Sequence, residues 1–181
     1  MEALANRYTP ECINRRFDPI LLGVDIEKEP TPEKPGKARL KIFESLCRDI
    51  SSFGVKRCTI SFLSLYESVK KRLDKYHIRY LELTEELQQK FAFELVEIAS
   101  KWGITLYSCA NPLIEKVPSI QKGHCIDGRL LEQLFKKPAS HAKDTGQREA
   151  CGCTKSTDIA SYNQYCRHRC LYCYSQSSQW L

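Results

Sequence analysis

The sequence predicts an α/β fold, namely an incomplete TIM-barrel-like (βα) repeat followed by a C-terminal cysteine-rich metal-binding tail. Two observations support this fold class. The hydrophobic period switches repeatedly between that of a strand and that of a helix along the first three quarters of the chain. Five of the ten cysteines then lie between residues 151 and 181. Strands that alternate with helices are typical of a parallel sheet with right-handed crossovers.

The first predicted element is a buried strand between Cys12 and Val24. β-branched and large apolar residues here surround Arg16, Asp18 and a proline, as in a strand that ends in a polar pair and a turn. The next stretch, Glu27 to Lys37, contains three prolines and is predicted to be a loop.

Three amphipathic helices follow. From Ala38 to Phe53 apolar residues recur every three or four positions, and Gly54 stands where a left-handed C-cap is expected. Thr84 is predicted to cap a second helix, whose apolar stripe ends just before Gly103. Asp127 is predicted to cap the third helix, which is rich in leucine.

Strands are predicted between these helices, at Arg57–Leu65 and Ile104–Cys109. The basic segment Glu67–Leu83 predicts a short helix followed by a surface loop. Three βα units fall well short of the roughly 250 residues of a closed eightfold barrel. We therefore predict a partial (βα) barrel-like domain over residues 1–135 and a cysteine-rich cluster-binding tail over residues 136–181.

Composition favours a globular, cytoplasmic, metal-binding protein. The chain has 181 residues, of which 42% are hydrophobic and 28% charged, which is unlike a disordered protein. The N-terminus lacks an apolar stretch of signal-peptide length, and no segment is long and apolar enough to cross a bilayer. Without an export signal, ten cysteines indicate metal binding rather than a disulfide framework.

The principal motif places three thiols within eight residues, at Cys166, Cys170 and Cys173. Thiolates are soft ligands, and three from one loop can each hold a different iron of a [4Fe–4S] cluster. The fourth iron is then open to S-adenosylmethionine or to another ligand. The alternative is a zinc site completed by Cys151, Cys153 or His168.

The remaining cysteines and histidines support several interpretations. Cys151-Gly-Cys153 is expected either to supply a fourth cluster ligand or to hold the loop in place, and the alternative is that both are ordinary loop cysteines. The pair His124-Cys125 and His141 are potential ligands, although a lone histidine is more often a hydrogen-bonded structural residue. Four further cysteines fall in predicted elements and are expected to pack in the core: Cys12, Cys47, Cys58 and Cys109.

Charge and strand ends add two expectations. Of the net charge of +6, seven basic and three acidic residues between Lys136 and Cys170 contribute +4. Such a basic surface could attract nucleic acid, but we favour a role in offsetting the negative charge of a thiolate-ligated cluster. Arg16 and Asp18 flank a strand end, where functional groups gather in barrels, or else they form a local salt bridge.

Read together, an ordered set of segments resembles the family called domain of unknown function 1848. These segments are Arg16–Ile20, Ile60–Tyr66, Gly123–Asp127, Lys143–Arg148, Cys151–Cys153, Ser156–Ile159, Tyr162–Asn163 and Cys166–Tyr174. The resemblance implies a barrel-like α/β fold and an iron–sulfur cluster on Cys166, Cys170 and Cys173, without an established substrate.

The resemblance also implies that this chain lacks an N-terminal part present in family members. We therefore expect a separate chain or self-association to complete the barrel. Two functions follow as hypotheses: a radical S-adenosylmethionine-type enzyme or its remnant, and a non-catalytic zinc or iron–sulfur module that could associate with nucleic acid.

Overall fold

A computed structural model describes residues 2–25, 33–157, 159, 168 and 170–173. A short 3-10 turn, Pro10–Cys12, precedes the first strand. The helices and strands in chain order are α1 (Glu2–Arg7), β1 (Arg15–Ile20), β2 (Gly23–Asp25), α2 (Glu33–Ser51), β3 (Arg57–Phe62), α3 (Glu67–Lys75), β4 (Ile78–Tyr80), α4 (Glu85–Lys101), β5 (Thr105–Ser108), α5 (Pro112–Glu115), β6 (Ile120–Lys122) and α6 (Gly128–Phe135).

The central element is a four-stranded sheet in which β1, β3, β5 and β6 lie side by side in that order. Every neighbouring pair is parallel. Strands that are successive in the chain are thus neighbours in space, joined by crossovers that contain α2, α4 and α5. The carboxyl ends of all four strands consequently meet at one edge of the sheet.

One face of the sheet packs against helices. Cys58 pairs with Leu106, and Leu106 pairs with Ile120, so that these buried side chains form a row across three strands. α2 contacts α4, and α4 contacts α5, which places the three crossover helices along this face. Phe43 of α2 and Leu95 of α4 are fully buried. Burial of such side chains stabilises the fold by about 1.5–3 kcal/mol each.

Positions on the other face of the sheet are more polar. Arg16 pairs with Thr59, and Thr59 pairs with Tyr107, in a row across β1, β3 and β5. Thr59 donates a hydrogen bond to Asn14 Oδ1 at 3.0 Å. The guanidinium of Arg57 lies 4.1 Å from the ring centroid of Tyr107, a cation–π contact.

A second, two-stranded antiparallel sheet lies beyond the ends of β1 and β3. It pairs β2 with β4, and Leu81 donates a backbone hydrogen bond to Leu22 at 2.9 Å. α3 precedes β4 and contacts it. None of the helices within the described ranges is long and apolar enough to span a membrane.

The predicted helices are confirmed in position and in their caps. Gly54 and Gly103 both have positive φ, at 75° and 64°, after the ends of α2 and α4. Thr84 Oγ1 accepts a hydrogen bond from the backbone N–H of Leu87 at 3.3 Å. Asp127 Oδ1 accepts one from Leu130 at 3.1 Å. These ends depend on local chemistry, which is why the sequence predicts them well.

Other boundaries differ from the prediction. The single strand predicted from Cys12 is in fact two, because the chain leaves the parallel sheet after Ile20 and β2 pairs with β4 instead. The loop predicted up to Lys37 is already helical from Glu33. Pro35 is tolerated there because first-turn N–H groups need no intrahelical partner. Residues 27–32 of that predicted loop lie outside the described part.

Between β3 and α6, three short elements were not predicted. The surface loop expected after α3 contains β4, and the loop expected before α6 contains α5 and β6. Each has only three or four residues, which is too short for a hydrophobic period to show. β6 is the important omission, because it adds a fourth strand to the parallel sheet.

Candidate functional site

The site lies at the carboxyl edge of the parallel sheet and begins with an ion pair on β1. Arg16 Nε donates to Asp18 Oδ1 at 3.0 Å, and Nη2 contacts Oδ2 of the same carboxylate, so the pair is bidentate. Ser61 of β3 donates a further hydrogen bond to Asp18 Oδ2 at 3.3 Å. The local salt bridge expected from the sequence is therefore present, and it is tied to the neighbouring strand.

Two thiols face each other beside this ion pair. Cys109 directly follows β5, and Cys125 comes three residues after β6. Their Sγ atoms are 3.4 Å apart, and both thiols are free. Arg16 Nη1 donates to Cys125 Sγ at 2.8 Å. Adjacent parallel strands thus bring together two cysteines that are 16 positions apart in the sequence.

The two thiols ionise as a pair. The hydrogen bond from Cys125, assisted by Arg16, lowers the pKa of Cys109 to about 5. That same hydrogen bond, together with burial, raises the pKa of Cys125. A second thiolate beside the first would be repelled by it, so the pair loses one proton readily and holds the other. Near neutral pH the pair is one thiolate and one thiol next to a guanidinium.

The segment Cys151-Gly152-Cys153 packs against the chain just after β6. His124 Nδ1 donates a hydrogen bond to the Gly152 carbonyl, and the Ile126 N–H points at Cys153 Sγ at 3.5 Å. A Cβ added to Gly152 would lie 2.8 Å from the His124 ring, so only glycine fits this approach.

The thiols of this segment are sheltered. Cys153 is buried and Cys151 is half-buried. Burial raises the pKa of Cys151. The Cys153 N–H points back at Cys151 Sγ at 3.5 Å, so the two thiols share one tight turn. The segment is therefore held in place by the fold, whether or not it ligates a metal.

Two of the three clustered cysteines share another tight turn. Cys173 donates a backbone hydrogen bond to the Cys170 carbonyl at 3.0 Å. Arg72 of α3 donates through Nε to the carbonyl of Leu171 at 3.1 Å, which ties the turn to the domain. The pKa of Tyr172 is raised, mainly by a hydrogen bond to Cys170 and to a smaller extent by burial. Cys166 lies outside the described residues.

Side chains that could share a single metal ion do not converge in the described part of the chain, where no group of three or more His, Cys, Asp or Glu is so arranged. His141 Nε2 instead lies 2.7 Å from Glu132 Oε2, within hydrogen-bond distance, and His168 is exposed. His124 and His141 thus match the structural, hydrogen-bonded interpretation. The assignment of Cys151, Cys153, Cys166, Cys170 and Cys173 as metal ligands stays a prediction.

The expectation that four cysteines pack in the core is half correct. Cys47 and Cys58 are fully buried, and burial raises the pKa of each to about 12. Cys12 is exposed, because it ends the 3-10 turn at the surface. Cys109 is half-buried and contacts Cys125, because β5 ends one residue before it.

The thiol pair was missed by sequence reasoning because β6 was missed. Cys125 looked isolated while the strand before it was read as loop. The signal was weak: Cys109 follows the apolar strand segment that begins at Ile104, whereas the three residues of β6 before Cys125 include one apolar side chain, Ile120. Had the two segments been paired as parallel neighbours, their carboxyl ends would have been placed side by side.

Comparison with known proteins gives one match. The family model described as Domain of unknown function (DUF1848) matches residues 1–175. No curated protein and no solved structure matches this chain. The match spans both the (βα) units and the cysteine-rich tail, and it covers nearly the whole chain. The chain therefore belongs to the DUF1848 family.

Proposed function

We propose that this chain binds a [4Fe–4S] cluster through Cys166, Cys170 and Cys173. The observation that carries the proposal is the turn at residues 170–173. It offers two free thiols three positions apart and is tied to α3 by the hydrogen bond from Arg72 to Leu171. A metal-binding loop needs such an anchor, because ligands that are already placed lose less conformational entropy on binding.

The donor chemistry around the turn fits a thiolate-ligated cluster. Thiolate sulfur is a soft ligand, suited to iron–sulfur centres and to zinc. The hydrogen bond between Tyr172 and Cys170 is of the kind that tunes a ligating sulfur. Arg72 lies beside the turn, where its charge offsets that of a cluster. Cys151 and Cys153 are candidates for a fourth ligand or for a shield around the site.

The sheet topology supports the idea that the domain is part of a barrel. Sequential strand order with crossover helices along one face is the arrangement found in a (βα) barrel. Within the described residues the sheet ends at β1 on one side and at β6 on the other. We propose that a separate chain or self-association completes it, since an open strand edge is a ready site for pairing.

The activity we favour is that of a radical S-adenosylmethionine-type enzyme. A bound cluster, when reduced, supplies the electron that cleaves this cofactor. The chain's own contribution is the ion pair of Arg16 and Asp18 within β1. The Arg16 guanidinium reaches Cys125, which follows β6 at the carboxyl edge of the sheet, where barrels place functional groups. The alternative is a non-catalytic zinc or iron–sulfur module, and its basic tail would favour nucleic acid.

Anaerobic purification followed by iron, acid-labile sulfide and zinc analysis tests the proposal. We expect iron and sulfide in the wild-type protein and loss of most of both in Cys170→Ser. Cys12→Ser is the matched control, because Cys12 is exposed and far along the chain from the turn. Stoichiometric zinc without sulfide after anaerobic reconstitution would show that the site is a zinc module instead.

A second measurement separates the enzyme from the module. If one iron is open, S-adenosylmethionine will perturb the paramagnetic resonance spectrum of the reduced cluster, and Cys151→Ser and Cys153→Ser will keep near-normal iron. Equal iron loss in these variants and in Cys170→Ser, without a cofactor effect, would indicate a closed cluster. Salt-dependent nucleic-acid binding in that case would support the module.

A further inference from the structure

We propose that Cys109 and Cys125 form a redox-active dithiol, which reacts with low-molecular-weight disulfides and closes a reversible disulfide at the carboxyl edge of the sheet. This site uses neither the cysteine turn at residues 170–173 nor any of the cysteines proposed to hold a cluster. The inference stands on the geometry of the thiol pair and its arginine.

The distance between the thiols is the first support. The Sγ atoms are 3.4 Å apart, about 1.4 Å more than the bonded length of about 2.05 Å. Backbone hydrogen bonds hold both cysteines near each other: Cys109 donates to the Ile60 carbonyl at 2.9 Å, and Gly123 donates to the Ser108 carbonyl at 2.7 Å. Formation of the disulfide therefore requires a small movement of the two side chains rather than a rearrangement of the strands.

The second support is reactivity. A thiol reacts with a disulfide as its thiolate, and a thiolate is favoured by a neighbouring cation. Arg16 Nη1 lies 2.8 Å from Cys125 Sγ, and Cys125 is exposed to reagents. Cys47 and Cys58 provide the contrast, because both are fully buried and carry raised pKa values. Unlike these two buried thiols, the pair beside Arg16 combines access, a thiol partner and a positive charge.

The reaction takes two exchange steps. The Cys109 thiolate attacks one sulfur of a small disulfide, the S–S bond of the reagent breaks, and one thiolate leaves. Cys125 then loses its proton and attacks the Cys109 sulfur of this mixed disulfide, which expels the second thiolate. Overall, the thiolate and the thiol of the pair lose two electrons and one proton, and the reagent takes up both, so that it leaves as one thiolate and one thiol.

Closing the bond changes the surroundings of Arg16. In the reduced protein its guanidinium contacts both the Asp18 carboxylate and the thiol pair. In the disulfide the negative charge of the pair is gone, so Arg16 retains only the carboxylate as an anionic partner among these groups. The redox state of the dithiol thus sets the charge at the edge of the sheet.

The test is peptide mapping of the full chain after anaerobic incubation with oxidised glutathione. Mass spectrometry is expected to detect a peptide that links Cys109 to Cys125, and dithiothreitol should remove this link. Cys125→Ala should instead accumulate glutathione on Cys109, and Cys125→Ser is the conservative second variant. Cys12→Ser is the control and should form the link as the wild type does.

The outcomes separate this proposal from the cluster proposal. A peptide mass reports the link whether or not iron is bound, so failure of either proposal leaves the other standing. A reaction that yields only links among Cys151, Cys153, Cys170 and Cys173 would overturn the dithiol proposal. So would equal glutathione labelling of Cys109 in the wild type and in Cys125→Ala.

Discussion

Replacement of Cys125 by alanine should change how the reaction of Cys109 depends on pH. The pKa of Cys109 is lowered to about 5, first by the hydrogen bond from Cys125 and then by Arg16. The ionisable groups that interact with Cys109 are Cys125, Arg16, Asp18 and, from the segment packed against the chain after β6, Cys151. Removal of the hydrogen-bond donor should raise this pKa towards the ordinary thiol value of about 8.5.

The difference in rate between the wild type and the variant depends on two opposing quantities: the fraction of thiolate and the nucleophilicity of that thiolate. At pH 6 a thiol with a pKa of about 5 is about 90% thiolate, whereas one with a pKa of about 8.5 is only about 0.3% thiolate. The more acidic thiolate is a weaker nucleophile, and a Brønsted coefficient of about 0.45 lowers its intrinsic rate roughly 40-fold. The roughly 300-fold gain in thiolate therefore leaves the wild type about 8-fold faster at pH 6, and the two rates become equal near pH 7.

The assay is the loss of free Cys109 thiol in excess oxidised glutathione, followed by acid quench and mass spectrometry. Because the Cys109 pKa is lowered, the thiolate persists as the pH falls, and the wild-type rate should stay nearly flat between about pH 6 and pH 8. The variant rate should rise almost tenfold per pH unit over the same interval, and Cys12→Ser should follow the wild type. A tenfold rise per unit in the wild type as well would refute the reasoning.

Three further predictions concern stability and are measured by denaturant unfolding. Thr84→Ala should lower the free energy of unfolding by about 1 kcal/mol, because the side chain caps α4. Leu95→Ala should lower it by about 2–5 kcal/mol, because the side chain is fully buried and leaves a cavity. Gly152→Ala should lower it by about 1–3 kcal/mol through the clash with His124, whereas Gly146→Ala, whose Cβ meets only a side-chain oxygen, should have a smaller effect.

Much of the fold could be predicted from local patterns. The helix that follows Thr84 and the one that follows Asp127 were placed correctly, because capping side chains and apolar stripes act within a few residues. The strands β3 and β5 were also placed correctly, because the apolar pattern that predicts a strand likewise lies within a few residues. Three-residue strands such as β4 and β6 were not predicted, because their formation depends on a partner strand elsewhere in the chain.

The candidate site likewise has features that the local sequence predicts and features that it does not. Cys170 and Cys173 are close in the sequence, so their shared turn was expected, and the motif alone proposes a cluster. The ion pair of Arg16 and Asp18 was likewise one of the alternatives, because two residues on one strand face the same side. Spacing of this kind is a property of the local chain.

By itself, the sequence determined the (βα) alternation, the helix ends and the clustering of thiols in the tail, because each depends on residues only a few positions apart. The tertiary structure alone decided that Cys109 and Cys125 lie 3.4 Å apart beside Arg16. That contact joins three strands, and it exists only because β1, β3, β5 and β6 pair in parallel and bring their carboxyl ends to one edge. The pairing of distant strands is set by packing of the whole sheet against its helices, a cooperative result that no local segment encodes.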